Sequence, residues 1–228
     1  MWTASTKTGW SLLLVGAVLM ALLAAKYYTF DPSAYFPRQR EVYEAETLGL
    51  LVHITGMMFA VLAGPLQFLR RLRERHFGLH RMLGKLYIVG AIVGALGGLY
   101  MAQFSASGTP SDLGFALLAL GVLLTTTVAF ARIRSRNVQS HREWMTRSYA
   151  LVFSAITLRL YLPVLESAFG EHDGYAIVAW ACWLPNLAFA EWLIRSRLRR
   201  HPEAPITRRP RVEPASQGEI PADAVPRA

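Results

Sequence analysis

Residues 141–163 read HREWMTRSYALVFSAITLRLYLP, and this stretch decides the fold. It opens with a basic head flanked by aromatics and becomes an apolar run from Tyr149, with a guanidinium, Arg159, about ten residues inside it. As one continuous helix, the eighteen residues from His141 to Arg159 make five turns. Both side chains then lie on one face, about 27 Å apart along the axis. An arginine that deep costs at least ~2.5–3.5 kcal/mol if it faces lipid, so a compensating group is expected beside it, close to the function.

Composition extends this reading to the whole chain. Of 228 residues, 53% are hydrophobic and 17% charged, whereas a soluble domain carries about a quarter charged residues. The charges are clustered, leaving long neutral stretches that match the ~20 residues needed to cross a hydrocarbon core. The net charge of +9 sits beside these spans, where membrane orientation explains it and a nucleic-acid partner is excluded. Cys182 is the single cysteine, so no intrachain disulfide or multi-cysteine metal site can form, and it reads as a small packing residue.

Working outward, residues 11–25 form a first span anchored by Lys26-Tyr27-Tyr28, and residues 26–46, with Asp31-Pro32 and Phe36-Pro37, form a loop. The second span runs from Leu48 to Phe68, the third follows Lys85 to about Phe104, and the fourth covers Leu113 to Ala131. The quoted stretch supplies the fifth. Tyr175 to Ile194 makes the sixth, broken at Pro185-Asn186. The predicted fold is therefore an all-α, polytopic six-helix membrane bundle over residues 1–200, with its core at 48–169. A disordered Pro/Arg-rich tail is expected at 201–228.

Lys and Arg number six in 70–85, five in 132–147 and eight from Arg195 onward, against none in 105–112 and 166–174. The positive-inside rule predicts both termini in the cytoplasm of a bacterial inner (plasma) membrane. A weak repeat is also visible. His80-Arg81 with Gly84 and Tyr87 opens the third span as His141-Arg142 with Ser148 and Tyr149 opens the fifth, suggesting two copies of one hairpin. Gly90, Gly94 and Gly98 share a face that suits close helix packing or, alternatively, a flat cofactor.

Four side chains are candidates for chemistry: His53, His80, His141 and Arg159. His53 lies ~7–8 Å inside the outer end of its span and can share the outer half of the bundle with Arg159. The partners expected for Arg159 are Gln103, Asn186, a backbone carbonyl, a rim acid (Glu46 or Glu166), or a bound anion. His80 and His141 can clamp one iron or another metal with neutral imidazoles. Alternatively, they contact lipid phosphates and cap helix ends. His76 and His80 are four apart, but Gly78 between them weakens a helix there.

Gly64-Pro65-Leu66-Gln67-Phe68, HRMLGKLY from His80, HREWMTRSY from His141 and Arg159 beyond it resemble the bacterial membrane-protein family catalogued as domain of unknown function 2306, over roughly His53 to Pro163. The resemblance implies the topology and no activity. More loosely, four core helices bearing histidines look like cytochrome b561-type di-haem cores, which use two histidine pairs at opposite faces. Here His53 stands near one face, His80 and His141 near the other, and the fourth span has none.

No nucleophile elbow, phosphate-binding loop, HExxH or paired intramembrane carboxylates are present, which removes the motif arguments for hydrolase, ATPase or metalloprotease activity. Three readings follow: a b-type haem electron-transfer protein with histidine ligands, a carrier or sensor of an anionic small molecule or lipid built on His53 and Arg159, and a structural or assembly factor. The expected partners are the lipid bilayer, haem or an anionic small molecule, and a second copy of the chain as a homo-oligomer.

Overall fold

Where apolar residues run on for five turns or more, the backbone can satisfy its own N–H and C=O groups only by closing into helix. The computed structural model describes residues 4–200, which are almost wholly helical and contain no strand. Six segments are long and apolar enough to span a bilayer. The first is α1 (Ala4–Ala25), followed by a connection of short 3₁₀ turns and α2 (Arg40–Ala45). The second is α3 (Thr47–Gln67); after the basic α4 (Arg70–Arg75) come α5 (Phe77–Ala102) and α6 (Thr109–Arg134). The fifth span is split into α7 (Val138–Val152) and α8 (Ser154–Phe169), and the sixth into α9 (Glu171–Ala181) and α10 (Leu184–Arg200). The expected tail at 201–228 lies outside the described residues.

The fifth span differs from the single helix expected. The Phe153 carbonyl is shared by the N–H groups of Ile156 (2.9 Å) and Thr157 (3.3 Å). The turn is tightened there, and His141 and Arg159 sit on separate helices. The sixth span breaks at Cys182 and Trp183, just ahead of the expected Pro185-Asn186. Proline clashes with the carbonyl four residues back, at Ala181, where α9 ends. Thr157 Oγ1 (2.5 Å) and Asn186 Nδ2 (2.9 Å) donate to the Cys182 carbonyl, so the break leaves that carbonyl satisfied inside the bundle.

Small residues set how closely the helices approach. A Cβ on Gly56 would lie 2.3 Å from the Gly94 nitrogen and 2.6 Å from the Gly90 oxygen, so the α3 and α5 backbones touch. Gly64 leaves space for the Tyr149 ring, whose Cε2 would stand 2.0 Å from an added Cβ. The Tyr149 hydroxyl makes a long hydrogen bond (3.5 Å) to the Val61 carbonyl, which Pro65 four residues on cannot engage. Trp10 Nε1 donates to the Pro65 carbonyl (2.9 Å) and seats α1 on α3. Outward, Leu12, Leu19, Leu22, Val89, Val93, Leu117 and Leu124 are all exposed. A surface this apolar suits hydrocarbon as its solvent.

The bundle has two chemically different ends. One, the basic end, gathers α4, the end of α6 and the start of α7. The far end carries the 26–46 connection, Ser105 to Gly108, and Gly170. It is tied together by Tyr100 to Glu46 (2.6 Å), Ser107 to the His172 carbonyl (2.7 Å) and Trp180 to the Pro110 carbonyl (3.0 Å).

Candidate functional site

The four candidate side chains divide between these ends. At the basic end, each histidine is bonded to the span that precedes its own. His141 Nδ1 donates to the Ala129 carbonyl on α6 (2.9 Å). With the Gln67 amide oriented to satisfy its neighbours, its nitrogen donates to His80 Nδ1 (2.8 Å) and its oxygen accepts from the Gly84 N–H (3.2 Å). The two bonds span twelve and thirteen residues, so the repeat seen in the sequence has a structural counterpart: each histidine ties its hairpin together. Among the described residues, no group of three or more metal-ligating side chains forms.

Arg147 and Ser148 of the HREWMTRSY element are also held by bonds inside the protein. Arg147 pairs with Glu191 on α10 through Nε (2.5 Å) and Nη2 (3.2 Å) and stacks on Trp144, 4.7 Å from its ring centre. Ser148 bridges Tyr87 of α5 (2.8 Å) and Thr126 of α6 (2.7 Å) in the buried core. Outside the membrane-length segments, burial and the nearby Arg142 lower the pKa of Arg73, which donates to the Gln67 carbonyl (3.0 Å).

The far half is built differently. A cavity of about 540 Å³ opens there, and His53 and Arg159 both line it. His53 Nδ1 donates to the Gly94 carbonyl (2.8 Å), which in the neutral ring leaves Nε2 as the acceptor. Gly98 cradles the ring: a Cβ there would fall 2.7 Å from Nδ1. The glycine face therefore packs helices at Gly90 and Gly94 and makes room for an imidazole at Gly98. Arg159 is an exposed residue that lines the cavity, and its Nη1 donates to the Ala155 carbonyl one turn back (2.9 Å). Of its expected protein partners, only a backbone carbonyl bonds it. Glu46 accepts from Tyr100, Glu166 accepts from Arg38 (2.5 Å), and Gln103 and Asn186 donate elsewhere. Among the described residues, no carboxylate pairs with Arg159.

Sequence reasoning missed the aromatic roof of this cavity. Tyr27, Tyr35 and Tyr43 form a three-ring cluster with centroids 5.6, 5.8 and 6.0 Å apart, and Phe36 stacks on Tyr175 at 6.1 Å. All five line the cavity. Burial among neighbouring phenols pushes the Tyr43 hydroxyl well above its ordinary pKa and keeps it neutral. Arg38 fastens this roof by pairing with Glu166 (2.5 Å) and Glu171 (3.3 Å) while lying over Phe36 and Tyr175. The available signal was the density of aromatics between Tyr27 and Tyr43, unusual in a solvated loop. Lys26, read as an interfacial anchor, also lines the cavity.

Comparison with known proteins yields one relationship. A family model described as "Predicted membrane protein (DUF2306)" matches residues 50–194. No curated protein and no solved structure matches the chain.

Proposed function

We propose, from the premise that this chain belongs to the DUF2306 family of predicted membrane proteins, that it is a carrier or sensor binding an anionic small molecule or lipid in the far-end cavity. One observation carries the reading: Arg159 opens onto a cavity shared with His53 and has no carboxylate partner among the described residues. Leaving a guanidinium uncompensated at that depth is costly, and an anion in the cavity would offset the cost. His53, held by the Gly94 carbonyl, offers Nε2 toward a protonated or hydroxyl-bearing part of the ligand. A carboxylate or phosphate would take two parallel hydrogen bonds from the guanidinium, a geometry lysine cannot supply.

A b-type haem draws less support from this arrangement. Among the described residues only one histidine, His53, lines the cavity, and His80 and His141 belong to the opposite end. The positive-inside bias favours a bacterial plasma membrane with the basic end cytoplasmic. Reporter fusions after Arg200 and at Ser107 check that orientation, an exported reporter being active only at Ser107.

The test uses full-length protein in lipid nanodiscs, challenged with benzoate and with longer alkyl carboxylates while thermal unfolding is followed. Binding raises the midpoint of wild type and leaves Arg159→Gln unmoved. An absorption spectrum of protein purified from haem-supplied cells completes the test. A Soret band lost on His53→Ala, with no carboxylate effect, would replace this reading by the haem one.

A further inference from the structure

Resting on the reading of the far-end cavity as an anion site, we propose that its ligand is a single-chain anionic amphiphile. Its carboxylate or phosphate head sits at Lys26 and Arg159, and its tail runs down a shaft to Val61, Val122 and Val152. Three observations carry this.

The first is the segregation of the lining. Among the described residues that line the cavity, the only full charges are the cations Lys26 and Arg159, with no aspartate or glutamate. Most of the polar and aromatic lining lies around these two, at the roof, with Ser154 the deeper exception beside Val152. The deep lining is Met57, Val61, Leu118, Ala119, Val122 and Val152. A cationic mouth over an apolar shaft complements a charged head on a hydrocarbon tail. The methionines, which are flexible and polarizable, let the wall follow a chain that bends.

The second is size. Along α3 the lining runs from Leu50 to Val61, about 16 Å at the helical rise. A volume of about 540 Å³ with lining over that depth has room for one acyl chain.

The third is access. On the aqueous side, the roof residues Tyr35, Phe36, Pro37 and Gln39 cover the cavity, and Arg38 fastens them to Glu166 and Glu171. Toward lipid, α1 and α8 touch at Gly16 and Ile156, where an added Cβ would lie 3.3 Å from Ile156 Cδ1. Beyond that contact both helices border the cavity, through Leu23 and through Leu158 and Leu162. Leu23 is also exposed, as is Leu160 next to Arg159. A path therefore leads sideways from the bilayer leaflet into the shaft, headgroup at the level of Lys26.

The experiment is photo-crosslinking of full-length protein in nanodiscs, with palmitate carrying a diazirine near its methyl end. Unlabelled palmitate, hexadecyl phosphate and benzoate are the competitors. The expected label falls on residues 118–122 and 152–158 and is displaced by unlabelled chains. It falls about 10–100-fold in apparent affinity in Arg159→Gln and partly recovers in Arg159→Lys. Should Arg159→Gln fail to fold, Lys26→Gln, at an exposed position, gives the same comparison with a loss of about 2–5-fold. Displacement by palmitate alone identifies a free fatty acid, and displacement by hexadecyl phosphate alone identifies a phospholipid-derived chain; either supports the proposal. Label confined to the lipid-facing surface and indifferent to these substitutions overturns it. If benzoate still stabilises wild type and not Arg159→Gln, the anion site survives and only the single-chain inference falls. If neither binds, both fall.

Discussion

The two ends of this bundle hold similar side chains, and two of them, Arg147 and Arg159, are used in opposite ways. At the basic end, His80, His141, Arg147 and Ser148 are each bonded to another element of the protein. At the far end, Arg159 reaches no further than its own helix and opens onto a cavity. The difference teaches that a motif rich in histidine and arginine can be mostly architecture, while the less conspicuous arginine ten residues later is left open to a ligand.

The comparison can be broken most severely through the glycines that join the two halves. Gly94→Val places a side chain where the Met57 backbone nitrogen stands 2.6 Å from the Cβ position. With neither backbone able to yield, a loss of about 3 kcal/mol or more is expected, read as loss of folded protein in detergent. Gly98→Ala meets the His53 ring instead. It is expected to displace that ring and weaken ligand binding, at a smaller stability cost of about 1–2 kcal/mol.

Next in size, Arg147→Ala strands Glu191 against the bundle and should cost about 1.5–3 kcal/mol by thermal unfolding. Arg38→Ala strands Glu166 in a pair no more exposed than Arg147–Glu191, and should cost a similar amount, about 1.5–3 kcal/mol, that of a charge-assisted bond. It should also speed ligand exchange by loosening the roof, which a stopped-flow displacement measurement would detect. His141→Phe removes one bond to the Ala129 carbonyl and should cost about 1 kcal/mol without altering anion binding. Arg159→Gln should cost less than about 1 kcal/mol without ligand, because no partner is orphaned and an intramembrane charge is removed. Equal losses in Arg147→Ala and Arg159→Gln would erase the contrast between the ends.

Much of the fold was legible because hydrocarbon imposes a length and a polarity on whatever crosses it. Six apolar runs of span length, read from the sequence, correspond to six helical segments of membrane length. The breaks were less legible. Pro185 announces the interruption of the sixth span, but the tightened turn at Phe153 depends on a shared carbonyl that no residue type signals. At the site, pairing His53 with Arg159 in one half of the bundle followed from counting residues inward from opposite helix ends, and both line the cavity. The roof was not legible, since Tyr35 and Tyr43 belong to a connection whose prolines and charges read as solvated loop. Its folding back depends on the contacts of Arg38 with Glu166 and Glu171, more than 120 residues away in sequence.

The most direct test of the central claim is thermal unfolding of wild type and Arg159→Gln in nanodiscs, each with and without palmitate. The account predicts a raised midpoint for wild type with palmitate, none for Arg159→Gln, and nearly equal midpoints for the two proteins without it. An Arg159→Gln protein that unfolds as early as Arg147→Ala, with palmitate moving neither wild type nor variant, would make Arg159 a structural strut and contradict the account.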